Sequence, residues 1–182
     1  AERECAEKLK AILNYPSTPL YANIDEMKVD LKKLDVLEIS LAPEQEEALF
    51  MALNNRFAII TGGPGTGKST ITKALIALFA LKGVSYEMAS PTGAAAKRLG
   101  NATQESARTI HRLLEFGLSG DISAPMFQRN MNNPLDTNCV IIDESSMLDI
   151  RLLRHLLEAM ETRTRFIMIG DSDQLPSVGA GN

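Results

Sequence analysis

Phe57-Ala58-Ile59-Ile60-Thr61, then Gly62-Gly63-Pro64-Gly65-Thr66-Gly67-Lys68-Ser69, then Thr70 to Leu81: an apolar strand, a glycine-rich turn and a helix-forming run follow one another without a break. The middle block fits the pattern G-x-x-x-x-G-K-[ST] at every specified position. Glycines let the backbone curl so that successive N–H groups point inward around an anion. The turn then delivers that anion to a helix N-terminus, where unpaired N–H groups favour negative charge. Lys68 brings a point charge to the β- and γ-phosphates, and the Ser69 hydroxyl can ligate Mg²⁺. A glycine turn with an unrelated lysine would not need a strand before it and a helix after it. The stretch implies nucleoside triphosphate binding and an α/β fold.

The same alternation continues in both directions. Gly83 breaks the helix expected over Lys68–Leu81, and a strand is expected over Val84–Ala89. Ser90-Pro91-Thr92-Gly93 turns into a helix over Ala94–Leu99. A further helix is expected from about 106 to 116, with Ile110, Leu113 and Leu114 at helical spacing. Residues 117–137, rich in Asn with interspersed Gly and Pro, read as a long loop, either structural or a nucleic-acid-contacting insertion. Cys139–Ile142 is a short apolar strand, Asp149 an N-cap for a helix over Ile150–Met160, and Arg165–Gly170 the last strand. Near-continuous apolar strands separated by helices predict a mostly parallel sheet with helices on both faces. Towards the N-terminus, Pro43 suits a first helical position ahead of Glu44–Leu53. Residues 1–40 read as helical, broken at Tyr15-Pro16-Ser17-Thr18-Pro19, with a narrow stripe at Met27, Leu31, Leu34 and Leu37. This segment is expected to be a helical tail or linker from a preceding domain.

The 182 residues suit one domain with one sizeable core. No apolar run approaches the ~20 residues that cross a membrane, so no membrane partner is expected. Two cysteines, Cys5 and Cys139, are too few and too distant for a disulfide framework or zinc site, and suggest a reduced, cytoplasmic setting. The whole of the −4 net charge falls in residues 1–56. Within the balanced remainder, residues 92–116 carry Lys97, Arg98, Arg108 and Arg112 against Glu105 and Glu115. That local excess fits a solvated helix face or a modest nucleic-acid footprint. Six Phe, three Tyr and no Trp give little material for a base-stacking platform.

In parallel α/β sheets ligands bind outside the carboxyl ends of the strands, and the remaining candidate groups all sit there. Asp143-Glu144 ends an apolar strand. In an ATPase the first acid helps hold Mg²⁺ and the second orients and deprotonates water; an exposed pair capping the next helix is the other reading. Gly170-Asp171-Ser172-Asp173-Gln174-Leu175-Pro176 follows the last strand, and Gln174 can hydrogen-bond a γ-phosphate oxygen; a plain polar loop also fits. Ser90 to Lys97 could admit a phosphodiester backbone to a helix N-terminus, or be an ordinary β–α turn. Thr109-Ile110-His111-Arg112 could add backbone contacts. His155 has no evident role.

Taken together, these segments resemble the first motor domain of superfamily-1 DNA helicases, in particular the RecD-like branch, which includes the α subunit of exodeoxyribonuclease V and its stand-alone relatives. The resemblance runs from about Leu41 to Asn182 and implies a RecA-like P-loop NTPase domain over 41–182. It implies that Gln45 reads the adenine edge and that Gly62 to Thr70 cradle ATP. Lys68 would lie on the phosphates, Ser69 and Asp143 on Mg²⁺, Glu144 would act as catalytic base and Gln174 as γ-phosphate sensor. Pro91, Thr92, Gly93, Lys97 and Arg98, with Thr109 and His111, would contact single-stranded DNA. The implied function is ATP-driven movement, 5′ to 3′ in relatives of this branch, and unwinding in recombination or repair. Implied partners are single-stranded DNA, duplex ends, a second RecA-like domain of the same chain, and nuclease or helicase subunits of a recombination complex. The chain opens on Ala1 and stops after the Gln174 loop, as a piece of a larger protein would. Without the arginine that the second domain supplies in this family, the piece alone is expected to bind Mg-ATP weakly and scarcely hydrolyse it. A helicase domain of a conjugative relaxase, a P-loop ATPase acting on something other than DNA, and a scaffold using ATP structurally are the rival readings.

Overall fold

The computed structural model describes residues 1–34, 38–117, 125–171, 173, 174 and 179. Five strands form one wholly parallel sheet: β1 (Phe57–Thr61), β2 (Tyr86–Ser90), β3 (Ala107–Thr109), β6 (Cys139–Ile142) and β7 (Arg165–Gly170), in the spatial order β1-β7-β6-β2-β3. The period of two along a strand divides the core. Ala58 and Ile60 of β1, Cys139 and Ile141 of β6, and Ile167 and Ile169 of β7 point to one face. Val140, Ile142 and Phe166 point to the other. Every residue of β6 is buried, as a strand covered on both sides must be. Cys139 is fully buried there, and burial pushes its thiol up to about 12.

Three helices, α2 (Ile24–Lys33), α3 (Pro43–Asn54) and α4 (Lys68–Leu81), cover the first face, with Leu99 of α5 (Gly93–Thr103) joining them. On the second face lie α1 (Glu2–Leu13), the short α6 (Ile110–Leu113) and α7 (Ile150–Glu158). Asp149 caps α7 as expected, its side chain accepting from the Arg151 and Leu152 N–H groups at 2.9 and 2.8 Å. Residues 1–34 are helical and broken near the prolines, and both helices pack onto the sheet. Cys5 and Ile12 of α1 are buried on one face; Met27 of α2, with Tyr21 just before that helix, is buried on the other. Leu37, the last of the apolar stripe, lies outside the described residues.

Two expectations need correcting. The helix expected over 106–116 is instead strand β3 followed by the single turn α6. Met88↔Ala107 and Ser90↔Thr109 are paired in parallel, and a neighbour so far off in sequence leaves no local periodic mark. The helical spacing of Ile110, Leu113 and Leu114 still reports their burial. The long loop of 117–137 contains structure as well: β4 (Phe116–Gly117) and β5 (Met126–Phe127) pair antiparallel, and Asn130 bridges Asn133. Residues 118–124 lie outside the described residues.

Candidate nucleotide site and adjoining strand ends

The P-loop has the shape its glycines allow. Gly67 sits at φ 82° as the N-cap of α4, a left-handed conformation, and a Cβ there would run into the Gln45 amide. No side chain caps α4, and the N–H groups of Lys68, Ser69 and Thr70 have no protein acceptor among the described residues; the first bond of the helix is Ile71 N–H to Gly67 C=O. Those N–H groups are donors left for a ligand. Lys68 Nζ curls over the loop and donates to the carbonyls of Gly62 and, at 2.8 Å, Gly63. The Thr66 hydroxyl donates to Gly63 C=O at 2.8 Å. Beside Ser69 and Thr70 a hollow of about 210 Å³ is lined also by Glu38, Ile39, Lys73 and Ala102.

Gln45 has more to do than its place in the sequence suggests. Its Nε2 donates to Thr66 C=O at 2.8 Å while its Oε1 accepts from Ala42 N–H at 2.8 Å. The amide thus ties the start of α3 to the phosphate loop.

Strand order decides which groups meet. β7 lies between β1 and β6, so the loop after β7 emerges between the P-loop and Asp143-Glu144. Gly62 N–H donates to Gly170 C=O at 3.3 Å, joining the two loops at their roots. Gly170 lies against the 3-10 turn Ser145–Met147, and a Cβ on it would stand 2.5 Å from Ser145 Oγ. Glu144 caps that turn in a left-handed conformation, φ 55° and ψ 41°. For a residue with a Cβ this costs about 1–2 kcal/mol, a strain found preferentially at functional positions. In the sequence Asp171 is one polar residue of a polar loop. It is 2% exposed: one carboxylate oxygen accepts from Asp173 N–H at 2.9 Å, and Oδ2 is buried with no partner among the described residues. Gln174 is exposed just beyond, its N–H reaching Asp171 C=O at 3.3 Å. The rest of the expected γ-phosphate loop, Ser172 and Leu175–Pro176, lies outside the described residues.

Asp143 is largely buried. Burial raises its pKa above the ordinary 3.8, helped by the Glu144 charge, while the Glu144 N–H, Lys68 and Arg98 pull it down. Such a carboxylate suits a cation. Among the described residues no group of three or more His, Cys, Asp or Glu is gathered to hold a metal. Mg²⁺ does not require one, since it is commonly held by one or two carboxylates together with substrate phosphates. Asp143 and the Ser69 hydroxyl fit that donor set. The same burial makes a stability prediction. Because the folded state favours the protonated acid, the penalty is absent below the ordinary value of 3.8 and full above the raised one. Asp143→Asn should therefore stabilise the ligand-free protein at pH 7 by about 1 kcal/mol. The gain should shrink as pH falls through that window, and Mg-dependent nucleotide binding should be lost. Melting curves with and without Mg-ATP at pH 4 and pH 7 check it; a destabilised variant at pH 7 would contradict the burial argument.

The candidate DNA contacts lie on the other half of the sheet. β2 and β3 are neighbours, and Ser90 pairs with Thr109, so Pro91-Thr92-Gly93 and His111 leave the sheet side by side. Thr92 caps α5, accepting from Ala95 N–H, and Thr109 caps α6, accepting from Arg112 N–H, both at 3.2 Å. Lys97 and Arg98 are exposed on α5, and Arg98 pairs with Glu144. His111 packs edge-on against Phe116, and Phe127 lies between His111 and His155. The paired β4 and β5 thus gather rings that composition alone does not place together.

A protein family described as an AAA domain matches residues 45–180. The chain belongs to that family. It is 38% identical, over its whole length, to the ATP-dependent RecD2 DNA helicase of Deinococcus radiodurans, and 37% identical over 76% of its length to the RecBCD enzyme subunit RecD of Mycolicibacterium smegmatis. It spans about a quarter of these relatives: 24% and 28% of their lengths. Among solved structures it is similar to the Pif1 helicase of Candida albicans, with a TM-score of 0.56 at 27% identity, covering 77% of this chain and 34% of that one. A Bacteroides Pif1 helicase in complex with ADP-AlF3 and single-stranded DNA matches with a TM-score of 0.51 at 25% identity, covering 76% and 34%. The RecD-like resemblance and the RecA-like parallel sheet both hold, and nucleotide binding goes with such a domain. No helix among the described residues is long and apolar enough to cross a membrane.

Proposed function

We propose that residues 41–182 are the ATP-binding motor domain of a DNA helicase whose longer parent couples ATP hydrolysis to movement on single-stranded DNA and unwinding of duplex ends. The observation that supports this reading is the insertion of β7 between β1 and β6, so that the strand end from which Gln174 follows stands between the strand ends that carry the phosphate loop and the paired carboxylates. In this reading Lys68 and Gln174 hold the phosphates, with the unspent N–H groups at the start of α4. Ser69 and Asp143 hold Mg²⁺, which supplies charge neutralisation on the phosphate oxygens. Glu144 orients a water and takes its proton. Gln45 reads the adenine edge beside the loop it already braces.

The sheet divides its labour: ATP on β1, β7 and β6; DNA on β2 and β3. Pro91, Thr92, Gly93, Lys97, Arg98, Thr109 and His111 form the DNA face. Closure by a second RecA-like domain would add the arginine that raises rates by roughly 10³–10⁵ in related phosphoryl transfer. Movement 5′ to 3′, nuclease or helicase partners in a recombination complex, and residues 1–40 as the end of a preceding domain belong to the same reading. Two buried free cysteines suit a reducing, cytoplasmic setting.

The test is ATP hydrolysis by the longer protein with and without single-stranded DNA. Strong stimulation supports the motor. Intact nucleotide binding without stimulation would point to a P-loop ATPase with another partner.

A further inference from the structure

We propose that Arg98 latches Glu144: without DNA its guanidinium occupies the carboxylate that must engage water, and a DNA phosphate arriving at α5 draws the guanidinium away. The proposal rests on the reading of Glu144 as base and α5 as a DNA contact. Arg98 Nη2 lies 3.3 Å from Glu144 Oε1, joining residues 46 positions apart in sequence. The pair is asymmetric. Glu144's side chain is 20% exposed and Arg98's is 70% exposed, so the anion faces the cleft and the cation faces solvent.

Three features suit exchange. First, the contact is long for a charge-assisted hydrogen bond, which is normally about 2.7–2.9 Å, and it uses one N–H of a group built for several. Second, Arg98 makes no other hydrogen bond among the described residues, so nothing else holds it beside Glu144. A phosphate offers bidentate contact in exchange for that single bond. Third, the backbone of Glu144 is fixed at the head of a 3-10 turn, so the pair sets the direction of its carboxylate while the turn stays put. While paired, the Oε1 facing Arg98 is spent on a guanidinium N–H and not on a water.

Arg98 is thus a positioning residue that couples the DNA half of the sheet to the ATP half. The test is steady-state ATP hydrolysis by the full-length protein as wild type, Arg98→Ala and Arg98→Lys, without DNA and at saturating single-stranded DNA. An ion pair with one exposed partner holds its geometry by a small factor. Arg98→Ala should therefore raise the DNA-free kcat roughly 2- to 5-fold, leave KM for ATP unchanged, and leave kcat at saturating DNA unchanged. The DNA concentration for half-stimulation should rise. Arg98→Lys, which keeps a cation within reach, should return the DNA-free rate towards wild type. A DNA-free rate that is unchanged or lower in Arg98→Ala overturns the latch, as does an Arg98→Lys rate equal to that of Arg98→Ala. A wild type indifferent to DNA, or normal turnover by Glu144→Gln, would remove the underlying reading and the latch with it. A stimulated wild type with an unmoved Arg98→Ala rate removes the latch alone.

Discussion

Lys68→Ala is expected to abolish nucleotide binding while the fold survives. The side chain is half-buried, and its ammonium already points into the curl of the loop, donating to the Gly62 and Gly63 carbonyls. On a triphosphate it would exchange those neutral acceptors for anionic ones. Hydrogen bonds to charged groups contribute roughly 1.5–3 kcal/mol each. Losing them should weaken binding by about 3 kcal/mol or more, over 100-fold in Kd. The fold has less at stake. Lys68 begins α4, Ala is a good helix former, and the Gly63 carbonyl it releases keeps the Thr66 hydroxyl as a donor, so the change in stability should stay within about 1 kcal/mol. Calorimetric titration with ATP, beside a thermal melt, reads both quantities. A Kd within about 3-fold of wild type would remove the loop from the nucleotide site.

Glu144→Gln should do the opposite: keep the nucleotide and stop the chemistry. Gln has the same shape and length, so the left-handed backbone and the turn it heads are preserved. It lacks the charge and cannot take a proton from water. Loss of a positioned general base typically lowers kcat by about 10²–10⁴, while Lys68, Ser69 and the N–H groups of α4 still hold the phosphates. The measurement is single-turnover hydrolysis alongside nucleotide affinity, in the longer protein. Turnover at the wild-type rate would transfer the role of base elsewhere, and the buried, half-unpaired Asp171 would be the first group to replace next.

Much of the site is legible along the chain because its chemistry is packed into short runs. Phe57–Thr61, Lys68–Leu81, Cys139–Ile142 and Arg165–Gly170 appear in the structure with the expected bounds. Each is bracketed by a glycine, a cap or a change of hydrophobic period that acts over a few residues. Local reading fails where a distant partner decides. Ala107–Thr109 is a strand only because β2 lies beside it. Phe116–Gly117 and Met126–Phe127 are strands only because they find each other. The stripe at Met27, Leu31 and Leu34 marks packing onto the core, but not that α1 and α2 part to opposite faces of the sheet.

A phosphate loop, a strand ending in two carboxylates, a third strand ending in a Gln-bearing loop and a mostly parallel sheet are all legible along the chain. Those properties follow from residues within one turn or one strand of each other. Three-dimensional packing was needed to set β7 between the other two, to stand β2 and β3 together as a second half, and to bring Gln45 against the loop. It alone brought Arg98 to Glu144. The physical reason is that parallel strands acquire their neighbours through crossovers whose packing is settled across the whole sheet, and side chains from separate elements meet only after that order is fixed.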